Sequence, residues 1–140
     1  MDPSTPTLPE ALAHCRRMRA EMIAALDRQF GPQEWHDCAD SRETCSYDAS
    51  GREAVGLVSR QFEGTYPPPA WRSVGDLVAQ IGRRYGFTDV RVLTEQPGRF
   101  DLAGGDNAGG IWRLSMAVNT VLMVRTPMAA PAREHVPSGS

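Results

Sequence analysis

The stretch Arg99–Arg125, RFDLAGGDNAGGIWRLSMAVNTVLMVR, decides the fold. In it Trp112, Leu114, Met116 and Val118 alternate with Arg113, Ser115 and Ala117. A period of two places one set on each face of a half-buried antiparallel strand. The segment before it, Gly104-Gly105-Asp106-Asn107-Ala108-Gly109-Gly110, has the glycine content of a phosphate loop. A Walker-type loop needs Lys-Ser/Thr after its last glycine, and Ile111-Trp112 stands there instead. The dinucleotide type needs a helix next, and a strand follows. Asp106-Asn107 between glycines therefore reads as a mobile turn joining the strands Arg99–Ala103 and Ile111–Val118. Asn119-Thr120 either turns the chain into a last strand, Val121–Arg125, or the two run on as one.

Upstream, Val90–Glu95 joins Arg99 through a Pro97-Gly98 turn, which extends the meander. Before it, Trp71, Val74, Leu77, Val78, Ile81 and Tyr85 recur at helical spacing behind the break Pro67-Pro68-Pro69. Ser73 with Asp76 is expected to cap that helix, and Gly86 sits where its C′ residue belongs. A first helix carries Leu12, Cys15, Met18, Met22, Leu26 and Phe30 on one stripe. Thr7 and Glu10 form its capping box, and Gly31-Pro32 ends it. Between the helices, Trp35–Cys38 and Thr44–Tyr47 read as a hairpin around Ala39–Glu43. A turn at Asp48–Gly51 then leads to an extended run, Glu53–Tyr66, whose alternation is blurred.

This order predicts a single α+β domain. Two amphipathic helices pack on one antiparallel β-sheet as a two-layer sandwich, in the order α-β-β-β-α-β-β-β. No strand–helix–strand alternation supports a doubly wound parallel sheet. The domain is expected over residues 8–126, between a disordered N-terminus, 1–7, and a disordered Pro/Ala/Ser/Gly-rich tail, 127–140.

The composition agrees. With 140 residues and 41% hydrophobic content, the chain has the size and apolar fraction for one modest core. Fifteen basic and 17 acidic side chains give a net charge of -2, so no overall field draws nucleic acid or anionic lipid. Every basic residue is Arg, a bias expected of a GC-rich coding sequence and not of a binding role. No stretch reaches the ~18 to 20 apolar residues of a membrane span. Met1–Pro9 lacks the basic start and apolar region of a leader, so a leader and lipid anchor are expected only upstream of Met1. Ala11-Leu12-Ala13-His14 before Cys15 echoes a lipidation box, but the bulky His14 and the missing apolar run argue against it.

Chemistry-bearing residues are few. Cys38 and Cys45 flank the proposed turn, where opposing strands would bring them within bridging distance. The alternative is two free thiols in a reducing compartment. With His36 they supply three ligand types, but no C-x-x-C pair or second cluster completes a zinc site, so no metal is expected. Cys15, on the apolar stripe, reads as a small hydrophobe and not a nucleophile. His36 and Asp37 are strand neighbours on opposite faces. Asp101 and Asp106 lack the spacing of a calcium loop. No Gly-x-Ser-x-Gly or H-E-x-x-H occurs. Neither catalytic residues nor a cofactor are expected. Trp71 and Trp112 fit the core; Trp35, which begins the hairpin, is expected first as core or edge packing and otherwise, with Asp106 and Asn107 in the loop, as a candidate contact for an unidentified protein partner.

Several residues together resemble the soluble part of LppA-like actinobacterial lipoproteins. They are Trp35, Cys38 and Cys45, then Tyr66-Pro67-Pro68, then Val74, Val78 and Ile81 before Tyr85-Gly86-Phe87. Asp101-Leu102 with Gly104-Gly105 follow, then Asn119-Thr120-Val121-Leu122 ahead of Thr126-Pro127. The resemblance spans about residues 10 to 128. It implies a small, exported, membrane-tethered domain without an assigned activity, in the cell envelope, with an oxidised hairpin. Such proteins carry a leader and a lipidated Cys, which this sequence lacks. They often have a Cys after the last strand, where this chain has Pro127-Met128.

The leading expectation is a non-catalytic binding or interaction domain. One alternative is a cytoplasmic immunity-type or regulatory partner protein, the location suggested by the sequence as it stands. Another is a small enzyme with a cleft at the Gly104–Gly110 loop.

Overall fold

Thr7 and Glu10 set the start of the first helix, α1, Leu8–Phe30, through a reciprocal capping box. The Thr7 N–H donates to Glu10 Oε1 at 2.8 Å and the Glu10 N–H to Thr7 Oγ1 at 3.4 Å. Cys15, Met18, Met22 and Leu26 are fully buried along the predicted stripe. Gly31, at φ 98°, turns the chain out of the helix. These observations come from a computed structural model that describes residues 5–131.

The second helix, α2, spans Trp71–Arg84 and is entered through a single 3-10 turn, Pro68–Ala70. The expected Ser73–Asp76 cap is not made, because the helix starts three residues earlier, after the prolines, and leaves Ser73 inside it. The entry is held instead by the Trp71 indole N–H, which donates to the Tyr66 carbonyl at 2.7 Å. Gly86 at φ 93° ends the helix as predicted. The Phe87 N–H bonds the Gly82 carbonyl and the Gly86 N–H the Arg83 carbonyl, the paired bonds of a Schellman motif.

The strands are β1 His36–Asp37, β2 Thr44–Tyr47, β3 Glu53–Gly56, β4 Arg60–Glu63, β5 Asp89–Gln96, β6 Arg99–Gly105, β7 Ile111–Met116 and β8 Asn119–Arg125. They form one antiparallel sheet in the order β1-β4-β8-β7-β6-β5, with β2 on β3 and β3 meeting the end of β8. The α+β sandwich holds, with one more strand before and after α2 than the expected order. After α2, β7 and β8 are two strands, turned at Ala117-Val118 and not at Asn119-Thr120, and Val118 stands 83% exposed at the tip. Before it, the run from Glu53 divides at Leu57–Ser59, and both halves lie along the same edge of β8. That break explains the blurred alternation. Its Val58 carbonyl is satisfied by Arg19 of α1 at 2.6 Å.

The predicted Trp35–Tyr47 hairpin does not form. β1 pairs with β4 (Asp37 opposite Arg60) and β2 with β3 (Cys45 opposite Val55), so the two lie end to end on one edge. Cys38 bonds Ser59 across the break. Cys38 and Cys45 are thereby about four residues apart along the run, on the order of 13 Å at a strand's ~3.3 Å rise. A disulfide spans roughly 4.4 to 6.8 Å between Cα atoms. All three cysteines are free thiols, and neither the bridge nor an oxidised hairpin is present.

The chain ends are also more ordered than expected. Ala129 exchanges backbone hydrogen bonds with Glu53, Met128 donates to the Ala108 carbonyl, and Ala130 bonds both Pro6 and Leu8. Ala129 and Ala130 are buried, so the domain runs past residue 126 and takes in Pro6 and Thr7. The rest of the two predicted disordered ends, 1–4 and 132–140, lies outside the described residues.

The helices pack on each other and on one face of the sheet, α2 over β6 and β7 and α1 over β3 and β8. Trp112, Leu114, Met116, Leu122 and Val124 point into that layer. Among the described residues no helix covers the other face, where Arg113, Ser115, Val121 and Met123 are half-buried.

Candidate functional site

Two hollows bear on the candidate residues. The larger, about 630 Å³, lies at the sheet edge among Pro32, Gln33, Glu34, His36, Phe62 and Glu63. Trp35 borders it but faces inward. Its indole N–H donates to Asp27 Oδ1 at 3.3 Å and its ring stands edge-on to Phe62 at 4.8 Å, so it is a half-buried wall. The His36 ring bonds the neighbouring Asp37 carbonyl at 3.0 Å, and the Asp37 carboxylate pairs with Arg60 at 2.9 Å. This edge gathers no convergent chemistry.

The second hollow, about 350 Å³, opens at the other end of the sheet, beside the glycine loop. Six pieces of chain meet there: Thr5-Pro6, His14 of α1, Arg52 before β3, Tyr85 after α2, Asp106 and Ala108 of the β6–β7 loop, and Pro127-Met128. Three of these pieces are brought in by devices already described. The capping box aims α1, the Schellman motif stops α2 at Tyr85, and Ala129 pinned to Glu53 lays Pro127-Met128 beside the loop.

The loop is held by its own carboxylate. Asp106 Oδ1 accepts from the amides of Gly110 at 2.7 Å and Ala108 at 2.9 Å, an Asx-type closure. Asn107 stands exposed at φ 68°, the one non-glycine residue with positive φ among the described residues. Asn tolerates that region better than most. On the opposite wall His14 Nε2 donates to the Tyr85 carbonyl at 2.9 Å, and the two rings meet edge-on at 5.0 Å. The Tyr85 hydroxyl donates to Glu21 at 2.7 Å. That bond first, then burial, raises its pKa. Arg52 is fastened by Asp48, which accepts its Nε–H at 2.9 Å and pairs with Nη2 at 2.9 Å. Behind the cleft, burial first and Asp106 second push the Cys15 thiol up to about 12.

Of the residues singled out from sequence, the structure brings Asp106, with Ala108 of its loop, into the second hollow and His36 into the first. Trp35 lies between Glu34 and His36, which line the other hollow, and Cys38 and Cys45 lie on the β1–β2 edge. Among the described residues no group of three or more His, Cys, Asp or Glu is placed to hold a metal ion. No described helix is long and apolar enough to cross a membrane. The sequence reading missed His14, Arg52 and Tyr85. His14 sits one position off the apolar stripe, which places it at the flank of α1. What it meets there depends on where α2 ends.

Asp101 is unrelated to this cleft. It is fully buried on the sheet face without helices, roofed by Arg99 at 2.7 Å and Arg113 at 3.7 Å. Burial raises its pKa most, yet the Ser115 hydroxyl, Arg99 and Arg113 together outweigh that and hold the carboxyl below its ordinary value.

With this geometry the chain can be placed among known proteins. The fold is similar to a crystal structure of LppA from Mycobacterium tuberculosis, described as a lipoprotein. The TM-score is 0.64 at 17% identity, over 90% of this chain and 80% of that one. It is also similar to a DUF4853 family protein from Actinomyces odontolyticus, with a TM-score of 0.59 at 9% identity, over 94% and 76%. No curated protein matches the sequence. Residues 3–130 match the profile of LppA, a family described as a lipoprotein confined to pathogenic Mycobacterium. The chain belongs to the LppA family of lipoproteins.

Proposed function

We propose that this lipoprotein-type domain is a non-catalytic binding module and that its ligand seat is the cleft beside the Asp106–Gly110 loop. One observation carries the reading: the polar groups around the cleft are fixed in place by hydrogen bonds within the domain. Asp106 is tied to the Ala108 and Gly110 amides, Arg52 to Asp48, and His14 to the Tyr85 carbonyl. A general base or nucleophile needs a free, reactive form near neutral pH. Here the nearest thiol, Cys15, stays protonated, with burial and Asp106 pushing it to about 12. Fixed polar groups around a partly apolar hollow are what a binding site requires. Asp106 and Asn107 are its contact residues in this reading, and Trp35 supports the sheet edge. An envelope location follows the family, with the partner or ligand met outside the cytoplasm.

The test is a two-dimensional amide NMR screen of the domain against mixed small polar compounds. Saturable shifts grouped at Ala108–Gly110 and Met128, with the compounds unchanged afterward, are expected. Chemical conversion of a compound, or shifts grouped only elsewhere, overturns the reading.

A further inference from the structure

Resting on that reading, we propose that the cleft takes a small zwitterion, an α-amino acid or dipeptide, with its ammonium group on Asp106 and its carboxylate on Arg52. The two charges stand on opposite sides of one strip of chain. Ala129 is bonded to Glu53, the neighbour of Arg52, at 2.8 and 2.9 Å, while Met128 is bonded to Ala108, two residues from Asp106, at 2.9 Å. Pro127-Met128 is therefore the floor between an anionic wall and a cationic wall.

Both charges are pre-positioned. Asp106 uses Oδ1 to close its loop, which leaves Oδ2 outside those bonds. Arg52 uses Nε and Nη2 on Asp48 and Ser50, which leaves the N–H groups of Nη1. A fixed acceptor and a fixed donor of opposite charge favour a ligand carrying both complements. A singly charged ligand satisfies one wall and meets the other unpaired. Pro127, Met128 and the ring of Tyr85 supply apolar surface for the ligand's side chain. The cleft volume of about 350 Å³ equals that of about a dozen waters at ~30 Å³ each, which suits a ligand of dipeptide size.

The experiment titrates alanyl-leucine, its N-acetyl form and its C-terminal amide into the wild-type domain and into Asp106→Asn and Arg52→Gln. Binding is read from the amides of Ala108–Gly110 and Met128. Asn keeps an oxygen for the loop amides, so Asp106→Asn preserves the loop while removing the charge. Acetylation and amidation are each expected to weaken wild-type binding about tenfold, the worth of one charge-assisted hydrogen bond. Asp106→Asn should become indifferent to acetylation and Arg52→Gln to amidation. Equal binding of the free and blocked dipeptides overturns the assignment. If neutral or singly charged compounds shift these amides and the dipeptide does not, the zwitterion assignment falls and the binding module stands. If no compound shifts them, both fall.

Discussion

Gly82 of α2 lies directly beneath the indole nitrogen of Trp112 on β7, and a β-carbon on that glycine would stand 2.5 Å from Nε1. Gly104 of β6 approaches the same indole even more closely. The largest core side chain thus occupies a slot formed by two missing side chains, one on each layer. This contact sets how closely α2 approaches the sheet.

The slot reverses an ordinary rule. In a solvent-exposed helix interior, Gly→Ala stabilises by about 1 kcal/mol. Gly82→Ala is instead expected to destabilise by about 1 to 3 kcal/mol, because the indole has nowhere to move. Gly75→Ala is the control. Its nearest atoms, Leu102 Cδ2 at 3.0 Å and Phe100 Cε2 at 3.1 Å, stand about half an ångström farther off than the indole does from Gly82, so a smaller shift accommodates the methyl. Urea denaturation of both variants decides it, and a harmless Gly82→Ala would mean that Trp112 is not clamped.

Asp101 makes stability depend on pH. Its folded-state pKa is lowered, so its contribution is fully present above the unfolded value of about 4 and is lost as pH falls through the folded value. Wild type should exceed Asp101→Asn in stability at pH 7, and the gap should close on acidification below about pH 4. Thermal melts of both proteins across that range measure it. A gap that widens toward acid has the wrong sign.

The thiols report the strand arrangement. Unfolded protein should yield three reactive thiols, since none is bridged. In the native state Cys45 is exposed and should react first, with half-buried Cys38 slower. Cys15, at about 12 through burial and then Asp106, should wait for unfolding. Recovery of a single thiol from unfolded protein would require a Cys38–Cys45 bridge and hence a different pairing of β1 and β2.

The segment after Thr126 is part of the domain. Ending the chain at Thr126 removes five backbone hydrogen bonds, to Ala108, Glu53 (two), Leu8 and Pro6, and two buried alanines. Net of the entropy regained, a loss of about 1 to 3 kcal/mol is expected against a chain ending at Pro131. Equal chemical denaturation midpoints for the two would show that the strap contributes nothing.

What could be read in the sequence was local. Thr7 with Glu10, the three-and-four spacing from Leu12 to Phe30, and Gly86 act within one or two turns of helix, and each did what its neighbours dictate. The Pro97-Gly98 turn and the alternation of Trp112, Leu114 and Met116 likewise concern adjacent strands, so the meander was legible. For the site, the loop at Asp106 and Asn107 was visible as glycine punctuation, without the wall opposite it.

Tertiary structure decided the rest, because its partners are distant in the chain. Trp35–Cys38 and Thr44–Tyr47 look like each other's complement over a short turn. The run from Glu53 offers each of them a separate strand already braced by β8, β4 for the first and β3 for the second, and those pairings win. Ala129 and Ala130 carry no signature of burial, yet Glu53 and Pro6 present unpaired backbone groups that those two residues satisfy. His14, Tyr85, Arg52 and Asp106 meet only where the helix end, the loop and the strap are brought together. Periodicity and capping propagate over a few residues, whereas a cleft is assembled by contacts between segments that no local pattern encodes.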